Sequence, residues 1–284
     1  MNVERVRYLE WKAARCRRDV IRMIEASRHG HLGGALSCID VVTALYFDKM
    51  KINPRQPRME ERDRFLLSAG HKCMAQYAVL AERGFFPKEV LDTYGKLGTP
   101  LPGHPDMHKL PGIEANTGAL GHGMSIAVGM ALGCRAQGLP SNVYVVTGDG
   151  ELPEGSNWEA ASAASHYHLD RLTVFVDNNG LQISGSVKEV MDMSPIAGRF
   201  GAFGWATAEI DGNDMSQIVK TLDRLPLEAG KPSLVLMHTV KGKGLSFAEN
   251  QVACHFWSPG EEELKQAVAE SDAAVAKLER EAVE

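Results

Sequence analysis

The chain has 284 residues, enough for one large domain or two small ones. Its net charge of -5 gives no electrostatic reason to expect a nucleic acid or an anionic membrane as a partner. No run of about 18 apolar residues predicts a membrane span, and the N-terminus lacks the apolar core of a signal peptide. The five cysteines are scattered and form no CxxC pair, which is typical of a cytoplasmic protein without disulfides or a zinc site.

The N-terminal segment, residues 1–30, predicts an amphipathic helix. From Val3 to Ala26 apolar residues recur at three- and four-residue steps, with arginine and glutamate on the other face. The next segment, SRHGHLGG (27–34), breaks this pattern, and its glycines predict a loop whose backbone approaches another group closely. His31 in this loop is a candidate ligand-binding residue, and a glycine-rich turn with incidental histidines is the equal alternative.

Two further loops carry candidate histidines. A short apolar run from Arg64 to Ser68 predicts a strand, and His71 follows it at the end where ligands bind in open α/β sheets. The loop 94–113 contains four prolines, which favours a fixed wall with His104 as a wall residue. Residues 117–138 then predict a turn and a small-residue helix that allows close packing against a strand, a cofactor ring or another protomer.

The central motif joins two predicted strands, Val143 to Thr147 and Leu172 to Val176. The first runs into Gly148-Asp149-Gly150, and the second into Asp177-Asn178-Asn179. Parallel strands bring these ends to one edge, where the carboxylate, the amide and a nearby backbone carbonyl could bind magnesium. The glycines would leave room for a diphosphate. The alternative is that GDG and NN are two unrelated turns.

The C-terminal third predicts two more strands, Trp205 to Ile210 and Ser233 to Thr239. The second is followed by Lys241-Gly242-Lys243-Gly244, which could contact phosphate or be a polar exit loop. His255 lies beyond that strand, and residues 261–284 predict a charged amphipathic helix. We therefore expect one α/β domain over residues 1–284, with a mostly parallel sheet flanked by helices.

Taken together, these motifs resemble the N-terminal diphosphate-binding domain of transketolases, which has a thiamine diphosphate (ThDP)-binding fold. The GDG…NN pattern is similar to the ThDP motif. The flanking motifs occur in the family's order: GHLGGALS, LLSAGH, PGHPD, TGALGHG, GDGELPEG, DNNGLQISG and a final His255. The resemblance covers nearly the whole chain. GHLGG replaces the commoner GHPGG, and Ala119 and His122 are variable points, which leaves substrate detail open.

The resemblance implies a role for each matching residue. Asp149, Asn179 and the Leu181 carbonyl would hold Mg²⁺, or Ca²⁺ or Mn²⁺ in its place. The substrate channel would be lined by four catalytic histidines: His31, His71, His104 and His255. The cofactor's diphosphate and rings would be bordered by His71, Gly118, Ala119, Leu120, Gly150, Glu154, Asn179, Ile183 and His255. Glu154 matches an acid that lies, in the family, at the subunit interface between two cofactor sites.

The chain is shorter than a full transketolase, which carries a pyrimidine-binding domain and a third domain. In the family the glutamate that activates the aminopyrimidine comes from that second domain, and no acid here matches it. The resemblance therefore implies the N-terminal subunit of a split transketolase, which needs a separate C-terminal subunit, in an α₂β₂ assembly. It would transfer a two-carbon ketol unit from a ketose to an aldose, each either free or phosphorylated.

Three alternatives remain open. The α subunit of a 2-oxoacid dehydrogenase also carries GDG…NN and needs a partner chain, although the histidines favour a transketolase. Deoxyxylulose phosphate synthase shares many of the motifs but is a longer single chain. A non-catalytic ThDP-binding partner is the third, although a degenerate subunit would be expected to lose some of the motif residues.

Overall fold

The computed structural model describes residues 2–283; Met1 and Glu284, which the predicted ranges include, lie outside them. Seven strands occur in the described chain: β1 (Arg64–Leu67), β2 (Val143–Gly148), β3 (Leu172–Asn178), β4 (Leu181–Gln182), β5 (Gly185–Ser186), β6 (Ala206–Asp211) and β7 (Ser233–His238). Five of them form a central sheet in the order β1-β2-β3-β7-β6, and β4 pairs with β5 in a small antiparallel hairpin. Every pairing in the central sheet is parallel, so the carboxyl ends of its strands share one edge.

Helices cover both faces of the sheet. Their bounds are α1 (Val3–Ser27), α2 (Leu32–Ala44), α3 (Cys73–Arg83), α4 (His122–Ala136), α5 (Gly155–His166), α6 (Val187–Met191), α7 (Ile196–Ala202), α8 (Met215–Asp223) and α9 (Glu261–Val283). Short turns of 3-10 helix occur at Gly70–Lys72, Lys88–Thr93, Asp149–Glu151 and Val252–His255, and a π-helical turn at Leu45–Lys49.

Two apolar cores hold the layers together. Alternate residues of β2 point to opposite faces, with Tyr144 and Val146 in the core under α1, α2 and α3 and with Val143 and Val145 in the core under α4 and α5. Because both of their faces are buried, β2, β3 and β7 are largely continuous apolar runs, whereas the edge strand β6 alternates between half-buried and exposed residues. Each fully buried large apolar side chain contributes about 1.5–3 kcal/mol.

The predicted α/β class with a mostly parallel, helix-flanked sheet is confirmed. The five predicted strands occur within two residues of their predicted ends, which is the ordinary uncertainty of element boundaries. No helix within residues 2–283 is both long enough and apolar enough to span a membrane.

The glycine-rich segment 27–34 differs from its prediction. Helix α1 ends at Ser27, and Arg28 takes a left-handed backbone conformation with φ of 64°. Helix α2 then begins at Leu32, so Gly33 and Gly34 lie in its first turn and not in a loop. The close approach that the glycines predicted is nevertheless present, because two lysine side chains pack directly against them.

Candidate active site

A cavity of about 310 Å³ lies at the carboxyl edge of the sheet. It brings together segments far apart in sequence, from the residue before α2 to the turn before α9. The predicted site residues that line it are His31, His71, His104, Gly118, Leu120, Asp149, Gly150, Asn179, Leu181, Ile183 and His255. Ala119 and Glu154 are exposed and are not among the lining residues.

Oxygen ligands of the kind that hard cations prefer meet at one end of the cavity. The parallel register sets Gly148 opposite Asp177, so the segments that follow β2 and β3 are neighbours. The Asp149 carboxylate is only 2% exposed and accepts hydrogen bonds from the backbone N–H groups of Gly150, at 2.8 Å, and Gly180, at 2.7 Å. Burial, and then the charge of Asp177, raises the pKa of Asp149 to about 6.

The donor set fits a divalent cation that also binds phosphate. A carboxylate, an amide oxygen and a backbone carbonyl supply part of an oxygen shell, and such sites leave the other positions to phosphate and water. In the part of the chain that the structure describes, no three His, Cys, Asp or Glu side chains cluster to hold a metal. The predicted ligand set contains only one carboxylate, so the protein alone would not supply a complete ligand shell for the cation.

Asp177 fixes the side chains that surround this end of the cavity. Its fully buried carboxylate accepts hydrogen bonds from Ser37 Oγ at 2.6 Å, from Asn179 Nδ2 at 3.2 Å and from Thr239 Oγ1. Because the amide nitrogen of Asn179 is held by Asp177, its oxygen faces the other way. Such outer partners fix the orientation of metal ligands.

Two lysines enter the cavity floor, and only one has a carboxylate partner. Lys72 Nζ lies 2.6 Å from Asp177 Oδ2; burial alone would lower the pKa of Lys72, but the carboxylate more than offsets it and the pKa is raised. Lys241 is 2% exposed, and its Nζ lies 3.1 Å from both the Leu181 carbonyl oxygen and His255 Nδ1. No Asp or Glu oxygen of residues 2–283 forms an ion pair with it within 4.0 Å. Burial, and then the charge of Lys72, lowers the pKa of Lys241 to about 8.

The four predicted histidines form one cluster. The ring centroid of His31 lies 5.3 Å from that of His71, 5.5 Å from His255 and 6.2 Å from His104. Burial, followed by the charge of Lys72, lowers the pKa of His71 to about 2. Burial, followed by the charge of Lys241, lowers the pKa of His255 to about 4, and burial also lowers the pKa of His31. Neutral imidazoles of this kind each offer one donor and one acceptor.

The tautomer of His255 follows from its neighbour. An ammonium group can only donate, so Lys241 donates to Nδ1 of His255. The ring proton of the neutral His255 therefore lies on Nε2.

The proline-rich loop forms the wall that its composition predicted. Tyr77 Oη, which is on α3, donates to the carbonyl oxygen of Pro102 at 2.8 Å and to that of His104 at 3.1 Å. Gly118 has a φ of 135°, and a Cβ there would lie 2.6 Å from Cδ2 of His104. A glycine at position 118 is therefore needed to seat the His104 ring.

A sequence model of the family described as "Transketolase, thiamine diphosphate binding domain" matches residues 11–272. The chain belongs to this transketolase family. The fold and the order of the site motifs agree with that assignment, so the resemblance drawn from the motifs is confirmed.

Curated relatives of this family align along nearly the whole chain. One subunit of the apulose-4-phosphate transketolase of Phocaeicola vulgatus is 43% identical over 97% of this chain and 98% of its own length. The 6-deoxy-6-sulfo-D-fructose transketolase subunit SqwG of a Clostridium species is 47% identical over 85% of this chain and 88% of its own.

Solved transketolases superpose on the chain over part of their length. The transketolase of Campylobacter jejuni matches with a TM-score of 0.87 and 29% identity, covering 98% of this chain and 46% of that one. The transketolase of Leishmania mexicana matches with a TM-score of 0.86 and 27% identity, covering 96% and 45%. The chain thus spans a little less than half the length of the solved transketolases it matches.

Two buried residues of this transketolase-family cavity, Lys72 and Glu151, carried little sequence signal. Lys72 follows His71 in an ordinary turn sequence, and nothing local indicates that it pairs with Asp177. Glu151 is 2% exposed, and its carboxylate accepts from Gly121 N and Gly148 N, at 2.8 and 3.2 Å, and from side chains at the ends of β1 and β2. Its place three residues after Gly148, as in a capping box, is the one available hint.

Proposed function

We propose that the chain is the N-terminal subunit of a two-subunit transketolase that depends on ThDP and Mg²⁺. It would transfer a two-carbon ketol unit from a ketose or ketose phosphate to an aldose or aldose phosphate. The observation that carries this proposal is the group of histidines from four separate segments, facing a glycine-lined carboxylate and amide at the sheet edge. Such a surface suits a polyhydroxylated substrate beside a diphosphate.

The residues of the cavity fit the cofactor. Mg²⁺, or Ca²⁺ or Mn²⁺, would be held by Asp149, Asn179 and the Leu181 carbonyl, and the diphosphate by Gly150 with His71 and His255. The cofactor's rings would be bordered by Gly118, Ala119, Leu120 and Ile183. When bound, ThDP supplies the nucleophilic carbon and the electron sink of ketol transfer, so the protein's task is binding, orientation and proton movement.

The histidines would perform that proton movement. His31, His71 and His255 are neutral at pH 7. His31 and His71 can each donate to one sugar oxygen and accept a proton from another, whereas His255 can only donate. His255 would present its Nε2–H to the cavity, because its Nδ1 is engaged by Lys241. His104 is exposed at the mouth and would contact the donor sugar rather than the cofactor.

A separate C-terminal subunit would complete the site. The carboxylates that line the cavity, Asp149 and Glu151, are both engaged by backbone N–H groups, so neither is free to activate the far end of the cofactor. The two curated relatives described above are named as subunits, and this chain covers nearly all of each. These points support an activating glutamate from a partner chain.

Exposed apolar side chains on the β4–β5 hairpin, whose Ile183 lines the cavity, and on α6 support the same proposal. Ile183, Val190 and Met191, on the β4–β5 hairpin and α6, are 72%, 47% and 54% exposed. Glu154 is exposed at the start of α5, where a partner could reach it. We propose an α₂β₂ complex with Glu154 at an interface.

The five cysteines are all buried and free, which fits a cytoplasmic protein.

The experiment is an assay of the chain together with its C-terminal subunit. Xylulose 5-phosphate with ribose 5-phosphate is compared with pyruvate plus an artificial electron acceptor, each with ThDP and Mg²⁺. We expect ketol transfer and no oxidation of pyruvate. Turnover of pyruvate would favour a 2-oxoacid dehydrogenase, and binding of ThDP without any turnover would favour a non-catalytic partner.

A further inference from the structure

A half-exposed phenyl ring lies beside the histidine cluster. Phe256 directly follows His255, and it is 51% exposed although its ring contacts two others. Its ring centroid lies 5.0 Å from that of His31, with the ring planes at 77°, and 5.6 Å from that of His29, with the planes at 24°. His29 is exposed and His31 lines the cavity, so the three rings form one aromatic strip from the protein surface to the cavity.

Two backbone hydrogen bonds hold the strip in place. Gly30 N donates to the Trp257 carbonyl oxygen at 3.0 Å, and Trp257 N donates to the Gly30 carbonyl oxygen at 2.8 Å, which forms an antiparallel bridge. The residues next to such a bridge, here His31 and Phe256, are direct cross-strand neighbours whose side chains lie close together. Side chains alternate in direction along an extended segment, so Trp257 enters the apolar core while Phe256 lies on the side of His31.

The chemistry of the strip suits the carbon chain of a sugar. The face of a phenyl ring is electronegative, so Phe256 attracts the weakly positive C–H groups of hydroxylated carbons and does not attract a phosphate. The neighbouring imidazole of His31 offers one donor and one acceptor for hydroxyl groups. Arg28, which precedes His29, is paired with Glu261 and brings no unpaired cation to the strip.

We propose that Phe256 is a substrate-binding residue that packs against the carbon chain of a sugar held by His31. That the substrate is a sugar rests on the proposed function. A ligand that is hydrogen-bonded to His31 lies within reach of Phe256, because the two ring centroids are only 5.0 Å apart. The contact recognises C–H groups and leaves any phosphate to other residues, so free and phosphorylated sugars gain equally from it.

The test compares Phe256→Ala with Phe256→Tyr in the full chain assembled with its C-terminal subunit and loaded with ThDP and Mg²⁺. Calorimetry without a ketose donor measures the affinities of ribose and ribose 5-phosphate. For Phe256→Ala we expect both aldoses to bind about 3- to 10-fold more weakly, by the same factor, as for the loss of one aromatic contact. Phe256→Tyr keeps the ring and should match the wild type. Tyr167→Ala, which removes a ring of similar exposure (44%) at the carboxyl end of α5, is the control and should have no effect.

Kinetics and subunit binding distinguish substrate contact from a structural role. Ketol transfer by Phe256→Ala should show a higher KM for the aldose at a kcat close to that of the wild type. Its affinities for ThDP and for the C-terminal subunit should not change. Wild-type affinity for both aldoses would overturn the proposal, and with a weaker subunit affinity it would assign Phe256 to the subunit interface. A loss confined to ribose 5-phosphate would overturn it too, because Phe256 would then act on the phosphate.

The outcomes separate this inference from the proposed function. If the wild-type complex binds the aldoses, Phe256→Ala weakens that binding, and no ketol unit is transferred, then the proposed function fails and the role of Phe256 stands. If the wild type transfers the ketol unit and Phe256→Ala does so with an unchanged KM, then the inference fails and the proposed function stands. A wild-type complex that neither binds nor turns over these sugars would overturn both.

Discussion

Lys72 Nζ lies 2.6 Å from Asp177 Oδ2, and the two side chains are 4% and 0% exposed. The same carboxylate accepts hydrogen bonds from Ser37 on α2 and Asn179 after β3. One buried ion pair therefore ties the turn before α3 to the strand end that carries the candidate metal ligands.

Removing either partner of this pair should destabilise the fold strongly. Lys72→Met leaves a buried carboxylate without its cation and should cost about 3–5 kcal/mol of unfolding free energy, as should Asp177→Asn. The double variant should cost much less than the sum, because it leaves no uncompensated charge. Urea unfolding of the four proteins measures this coupling, and additive effects would show that the two groups do not depend on each other.

The Asp149→Ala substitution should abolish Mg²⁺-dependent ThDP binding in the complex. Asp149 is the only carboxylate among the proposed metal ligands, and a hard cation binds poorly to an amide and a carbonyl alone. Calorimetry with and without Mg²⁺ measures the effect. Glu159→Ala, which removes an exposed acid of α5, is the control. An unchanged metal-dependent affinity in Asp149→Ala would remove Asp149 from the site.

The stability of the ligand-free chain should fall as the pH is lowered from 7 to 5. The pKa of His71 is lowered to about 2 in the fold by burial and Lys72, against an unfolded value of 6.5. Below pH 6.5 the unfolded chain therefore gains a proton that the folded chain does not. This costs about 1.4 kcal/mol per pH unit once the unfolded histidine is protonated.

Asp149 opposes this trend over part of the range. Its pKa is raised from 3.8 to about 6, so the folded chain takes up a proton below that pH before the unfolded chain does. The pKa values of His255 and His31 are lowered as well, so these residues destabilise the fold at low pH as His71 does. Their combined effect exceeds that of Asp149, and the net stability falls. Urea unfolding at pH 7, 6 and 5 should give a shallower slope for His71→Gln than for the wild type. His166→Gln, at an exposed position, is the control, and equal slopes in all three proteins would contradict the prediction.

His104→Ala should impair the reaction of the sugar donor more than it weakens binding of the cofactor. His104 lies at the exposed mouth, with its ring against Gly118. We expect a higher donor KM or a lower kcat, by about 10- to 100-fold, with ThDP affinity little changed. His108→Ala, from an exposed position of the same loop, should have no effect. A loss of ThDP affinity without a change in donor kinetics would assign His104 to the cofactor instead.

The strand pattern and the polar strand ends could be predicted from the sequence. Both arise from local rules, since apolar β-branched runs such as Val143 to Val146 form buried parallel strands and place Asp149 at the ligand-binding edge. The glycines of GHLGG also indicated a close approach correctly. The sequence does not name the group that approaches Gly33, because Lys241 is more than two hundred residues away.

The charge balance of the cavity could not be predicted for the same reason. Lys72, Glu151 and Asp177 are ordinary surface types whose burial depends on partners from other strands and helices. The Lys241-Gly242-Lys243-Gly244 segment shows this directly. Lys241 lies under the cavity whereas Lys243 is on the surface, and the two lysines are equivalent in the sequence pattern.

We propose that this chain holds the diphosphate end of the cofactor and needs another polypeptide to turn over substrate. The most direct test measures ketol transfer from xylulose 5-phosphate to ribose 5-phosphate, with saturating Mg²⁺ and ThDP, by the purified chain alone and after its C-terminal subunit is added. We predict negligible activity and weak ThDP binding for the chain alone, and turnover only for the mixture. Turnover of sugar phosphates by the chain alone would contradict the account.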